Sequence, residues 1–130
     1  MAELKVFDGM KHCMAVLGPG ADIYEELRDL FEKSGWEEAI IVNAIGSFAR
    51  GVVRYPKTRE LPPEIATVEY EGPFEIASMV GTIRKEAKGI NLHLHASFAD
   101  KGDHFFGGAL GEGSTVYKML EVFLLVKGRV

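Results

Sequence analysis

The stretch Ile90-Asn91-Leu92-His93-Leu94-His95-Ala96-Ser97-Phe98 alternates without a slip. Ile90, Leu92, Leu94, Ala96 and Phe98 are apolar, and the residues between them are polar. A period of two is that of a strand with one face in a core and the other free. The stretch therefore predicts a β-strand that projects His93 and His95 from one side of a sheet.

The pattern continues on both sides. Thr67 to Tyr70 and Phe74 to Ile83 predict strands around Gly72-Pro73, and Val116 to Val126 predicts a long last strand. Toward the N-terminus, Ala39 to Ile45 reads as a strand covered on both faces. Gly46-Ser47 breaks it, and Phe48 to Tyr55 reads as the next strand. Pro56, Pro62 and Pro63 mark an exposed loop. Met10 to Leu17 predicts a first strand running into Gly18-Pro19-Gly20.

One segment has the helical period. Ile23, Leu27, Leu30 and Phe31 form an apolar stripe, with Glu25, Glu26, Arg28, Asp29 and Glu32 facing away. Asp22 is the predicted N-cap, Glu25 sits at the capping-box offset, and Ser34-Gly35 closes the helix. One amphipathic helix over about 21–34 with about eight strands predicts an α+β fold in a single domain, residues 1–130.

Composition narrows the function classes. A chain that is 47% hydrophobic and 26% charged can bury a core without cross-links. Its one cysteine, Cys13, excludes an internal disulfide and a zinc ribbon, and points to a reducing, cytoplasmic setting with a buried, inert thiol. With 15 basic and 19 acidic residues, the balance opposes the phosphate neutralisation that DNA binding needs. Arg50, Arg54, Lys57 and Arg59, like Arg84, Lys85 and Lys88, are interrupted or flanked by acids and read as solvated faces. No apolar run spans a bilayer, and the N-terminus has no signal-peptide pattern.

The order and spacing of several short motifs are similar to those of the PPC domain (plants and prokaryotes conserved). They are Pro19-Gly20, Ile45-Gly46-Ser47, Tyr70-Glu71-Gly72-Pro73-Phe74-Glu75-Ile76, Gly81-Thr82-Ile83, Leu92-His93-Leu94-His95-Ala96-Ser97, Gly107-Gly108 and Glu121-Val122. The resemblance covers nearly the whole chain. It implies a curved mixed or antiparallel sheet and assembly as a homotrimer. In plants the domain follows AT-hooks, whose Arg-Gly-Arg-Pro core this sequence lacks. A fold-level likeness to acetolactate decarboxylase, a histidine-ligated zinc enzyme, points to a second reading.

His93 and His95 are the leading metal candidates, because imidazoles two apart on a strand can share one ion, zinc above all. The resemblance places a third ligand in a Gly-Gly-His-Leu motif, and here that motif is Gly107-Gly108-Ala109-Leu110. The family ligand is therefore replaced by Ala109. His104, at an odd offset from Ala109, joins the pair only through a bulge. His12, Asp100, Asp103, Glu75 or a second subunit are the other means of completing a site. Against the metal stands the plainer reading of two histidines satisfied on a polar sheet face or subunit interface. Glu75, between Phe74 and Ile76, is the candidate acid or base; it is either that or half of an ion pair with Arg50, Arg54 or a histidine.

The glycines at 102, 107, 108, 111 and 113 match no phosphate loop and predict turns, bulges and close contacts. Ser47 and Ser97 lack a nucleophile-elbow context. The expected activity is a non-enzymatic, homotrimeric module that binds a small molecule or a protein. A zinc enzyme is the first alternative and DNA binding the second.

Overall fold

The structure is a computed structural model that describes residues 1–128. Along the chain it comprises β1 (Lys11–Leu17), α1 (Ile23–Ser34), β2 (Trp36–Pro56), β3 (Ile65–Glu86), β4 (Gly89–Ala99), β5 (Phe105–Leu110) and β6 (Thr115–Gly128). The strands form one antiparallel sheet in the order β1-β6-β2-β3-β4-β5. β5 also pairs with β2, through Val53–Leu110 and Arg54–Ala109. The sheet thereby closes on itself, and β2, β3, β4 and β5 make a small barrel with β6 and β1 as an extension.

Six strands are present against about eight expected: of the seven segments named above, four merge into β2 and β3 because two expected breaks are bends, and the glycine-rich stretch read as turns and bulges supplies β5. β2 runs through Gly46-Ser47, with register shifts against β6 on either side of Gly46. At Gly46 the backbone has φ 148°, and an added Cβ would lie 2.1 Å from the Met119 carbonyl oxygen. Only glycine lets β2 and β6 approach this closely. β3 likewise runs through Gly72-Pro73. Between the two halves of the β2–β3 ladder, Asn43 Oδ1 accepts the Met79 N–H at 3.1 Å and the Ala44 N–H at 2.9 Å. A side chain thus satisfies backbone groups that the ladder leaves free.

The helix begins at Ile23, with Asp22 as its N-cap accepting the Glu25 N–H at 3.0 Å. It ends at Gly35, whose φ of 68° is the left-handed conformation of a C-cap. Ile23, Leu27 and Phe31 are buried as the apolar stripe predicts, and Tyr24 is buried with them. They share one core with Ala15, Leu17, Ala39, Ile41, Val122 and Leu124. Each such large side chain contributes about 1.5–3 kcal/mol on burial.

The barrel is filled, not hollow. Phe98 is fully buried at its centre, with ring centroids of Phe74 at 4.9 Å, Phe48 at 5.3 Å, Phe106 at 5.8 Å and Tyr70 at 6.3 Å. These inward residues come from alternate positions, so His93, His95, Arg54 and Ala109 stand on the outside.

The outer face has an unusual composition. Met14, Val16, Val42, Ile45 and Val80 are 45–61% exposed. The register joins His12, Leu125, Ile40, Thr82 and His93 in one row across five strands. Among the described residues no helix is long and apolar enough to cross a membrane.

Candidate functional site

On β4 the two histidines lie side by side, as the alternation requires. Their Nε2 atoms are 3.2 Å apart and the rings meet edge to face, with centroids at 5.1 Å. Two nitrogens bound to one tetrahedral metal at the usual bond length sit about 3.3 Å apart. The spacing therefore suits a chelate. It equally suits one neutral imidazole donating to the other.

The register defines what surrounds the pair. Val80 faces His95 from β3, and Ala109 faces it from β5. Arg54 of β2 in turn faces Ala109. His95, Ala109 and Arg54 thus form one outward row across three strands. A methyl group occupies the place of the third ligand. Among the described residues no group of three or more His, Cys, Asp and Glu side chains could hold a metal. The described residues bring two candidate ligands together, one fewer than the three protein ligands usual in a catalytic zinc site.

The other ligand candidates stand elsewhere. His104 is in the turn before β5, where its Nδ1 donates to Asp100 Oδ2 at 3.0 Å. Asp100 also accepts the N–H groups of Gly102 at 2.8 Å and His104 at 3.1 Å. The His104 backbone N–H is the main reason the Asp100 carboxyl is held below its ordinary value, and the imidazole adds to it. His104 thus lies beyond the Ala99–Phe105 end of the β4–β5 ladder, away from His93 and His95, with its Nε2 not engaged by Asp100. His12 is at the far end of the five-strand row, roughly 19 Å from His93 by strand spacing.

Glu75 is not buried in a central strand. It is exposed on β3, opposite Ser47 and Ala99. It borders a cleft of about 280 Å3 with Lys101, Tyr117 and Lys118. Ala99 lies four residues beyond His95, so Glu75 is roughly 13 Å along the sheet from the pair. Neither arginine expected beside Glu75 pairs with it. Arg50 instead pairs with Glu69 and lies with its Nε 3.2 Å from Glu71 Oε1, near enough for charge attraction but not aligned as a hydrogen bond.

Arg54 belongs to the site through the closing β2–β5 pairing. A cleft of about 460 Å3 opens beside it, lined by Tyr24, Arg28, Asn91, Leu110 and Glu112. Arg28 donates to Glu112 at 2.8 Å, whereas Arg54 makes no ion pair among the described residues. The Tyr24 hydroxyl donates to the Leu110 carbonyl at 2.5 Å. Burial, and then the Glu112 carboxylate, push its pKa up. The row thus combines two imidazoles, one free guanidinium and a polar cleft, a set suited to an anionic group. Cys13 is half-buried on β1, and burial raises its thiol pKa, which disfavours the reactive thiolate.

Known proteins resemble this chain over almost its full length. A protein named AT-hook motif nuclear-localized protein 14 from Arabidopsis thaliana is 28% identical over 109 residues, 83% of this chain. The match spans about a quarter (25%) of that plant protein. The crystal structure of a metal-containing protein from Archaeoglobus fulgidus superposes with a TM-score of 0.80 at 27% identity, covering 98% of this chain and 89% of that one. Alpha-acetolactate decarboxylase from Bacillus subtilis shares the fold more distantly, with a TM-score of 0.58 at 18% identity over 89% of this chain and 52% of that one. The model of the Plants and Prokaryotes Conserved (PCC) domain matches residues 5–126, and the chain belongs to that family, the one abbreviated PPC above.

Proposed function

We propose that this chain is a self-associating binding module, a homotrimer that holds a small anionic ligand beside His93, His95 and Arg54. The observation that carries this reading is the outer sheet face. Met14, Val16, Val42, Ile45 and Val80 expose apolar surface beside a histidine pair with only two ligands to offer a metal. Contiguous apolar surface on a sheet favours burial by another copy of the chain. Such burial brings a second subunit near the pair, so that the binding cleft is shared. The half-buried single thiol of Cys13 accords with a cytoplasmic setting.

Light scattering on eluted protein tests the assembly. The expected mass is three times the 14.3 kDa chain. Val42→Glu with Ile45→Glu places two charges on the apolar face and reduces that mass to one chain. A wild-type monomer at high concentration would remove this reading.

A metal enzyme is the second reading, favoured by the 3.2 Å separation of the two Nε2 atoms and by the metal-containing relative. His93 and His95 would hold the ion, which would polarise an oxygen of the ligand. Elemental analysis of tag-free protein decides here: about one zinc per chain supports this reading, and well under one with none taken up on addition rejects it. DNA is disfavoured as a partner, since acidic residues outnumber basic ones by 19 to 15.

A further inference from the structure

Residues 1–10 form neither helix nor strand, and among the described residues no hydrogen bond ties them to the rest of the chain. Leu4 and Val6 are 91% and 74% exposed, two apolar side chains at strand period with no cover in their own chain. The family match begins at residue 5, so this arm is part of the domain. We propose that the arm crosses to a second copy of the chain and pairs there, as an added strand over residues 4–8, with the free edge of β1.

β1 pairs with β6 on one side only, and its other edge is unpaired among the described residues. Edge strands are ordinarily guarded against association by charge, proline or a bulge. From His12 to Leu17 this edge has no proline, acid, lysine or arginine, and its register against β6 runs without a shift. Its free N–H and C=O groups are a template for an added strand.

One antiparallel register matches the two segments in both apolar character and charge. With Val6 opposite Met14, Leu4 falls opposite Val16 and Asp8 opposite His12. These pairs lie on the outer face, where Met14 and Val16 are exposed. The His12 ring can donate to the Asp8 carboxylate. Lys5 comes opposite Ala15, whose small side chain lets the lysine stem run out to solvent. Gly9, at φ 69°, turns the chain between the arm and β1. A copy thereby gives its arm to one neighbour and receives that of the other, as a ring of three requires. This joint rests on the self-association proposed above and names the segment that makes it.

Light scattering and amide hydrogen exchange on the wild type and on Leu4→Asp with Val6→Asp test the joint. Both side chains are exposed in the single chain, so the variant keeps its fold, and unchanged exchange at Leu94 and Phe98 reports this. Removal of residues 2–6 is the second variant. Expected in both is a fall in mass from three chains to one. Alternate amides of residues 11–17, those facing away from β6, should exchange about tenfold or more faster in the variants than in the wild type. A trimeric wild type whose variants keep its mass, or its protection along β1, overturns the exchange of arms and leaves the trimer standing. A wild-type monomer removes both.

Discussion

Ala109 stands directly across the β4–β5 ladder from His95, with its methyl group on the same outer face as both imidazoles. Directly opposed residues in an antiparallel pair hold their Cβ atoms about 4.5–5.5 Å apart. An imidazole at this position would therefore reach an ion held by His93 and His95. The expected outcome for Ala109→His is a gain of zinc to about one per chain, measured by elemental analysis after dialysis, against a lower content in the parent. His93→Ala in the same background should abolish the gain. A variant that takes up no more zinc than the parent would show that the row does not converge on one ion.

A second prediction concerns Gly51 and Phe98. A Cβ added at Gly51 would lie 2.4 Å from the Phe98 ring. The ring is fully buried among four other aromatic rings and cannot retreat. Gly51→Ala should therefore cost about 1–3 kcal/mol by overpacking, and Phe98→Leu should lose stability by leaving a void. Together the two should cost less than their sum, because the smaller side chain makes room for the methyl group. Urea unfolding of the two single variants and the double variant checks this; strict additivity would show that the contact is relieved elsewhere.

Those two pairs mark what the sequence could and could not reveal. The alternation at 90–98 requires neighbouring histidines on one face, and they are neighbours. The helix was legible to within two residues because Asp22, Glu25 and Gly35 carry the chemistry of caps. The strand count was not legible. Gly46-Ser47 and Gly72-Pro73 resemble terminators, yet in a curved sheet the same residues permit close approach and bending. Arg54 was missed as part of the site because only the closing β2–β5 pairing, between residues far apart in the chain, brings it beside Ala109. The place of His104 was not legible either, because its contact with Asp100 in the turn before β5 is one that strand periodicity does not reveal.

Tyr24 ties the helix to the end of β5. Its hydroxyl donates to the buried Leu110 carbonyl, and burial favours the neutral phenol. Tyr24→Phe keeps the ring and removes the donor, so the expected loss is about 1–3 kcal/mol for an unsatisfied buried acceptor. Chemical denaturation measures it. The raised phenol pKa gives the sign of a pH effect. The hydroxyl's contribution is fully present below the ordinary value of 10.0 and is lost as pH rises through the higher folded value. Tyr24→Phe should therefore show a smaller loss of stability at alkaline pH than the parent.

The Asp100 turn responds to pH in the opposite direction. The N–H of His104, with the His104 ring and the Gly102 N–H, holds the Asp100 carboxyl below its ordinary value of 3.8. A carboxylate with a depressed folded pKa stabilises the turn fully above its unfolded value, and that contribution is lost as pH falls through the folded value. Acidification below 3.8 should therefore loosen residues 100–104 before the barrel unfolds. The amide signals of Gly102 and His104 should move together with a midpoint below 3.8, while those of Phe98 and Leu94 stay fixed. Asp100→Asn retains an acceptor oxygen but loses the charge, so the movement should vanish and the turn should exchange its amide protons faster at neutral pH. If the two signals titrate at or above 3.8, the turn is not held by the ionised carboxylate.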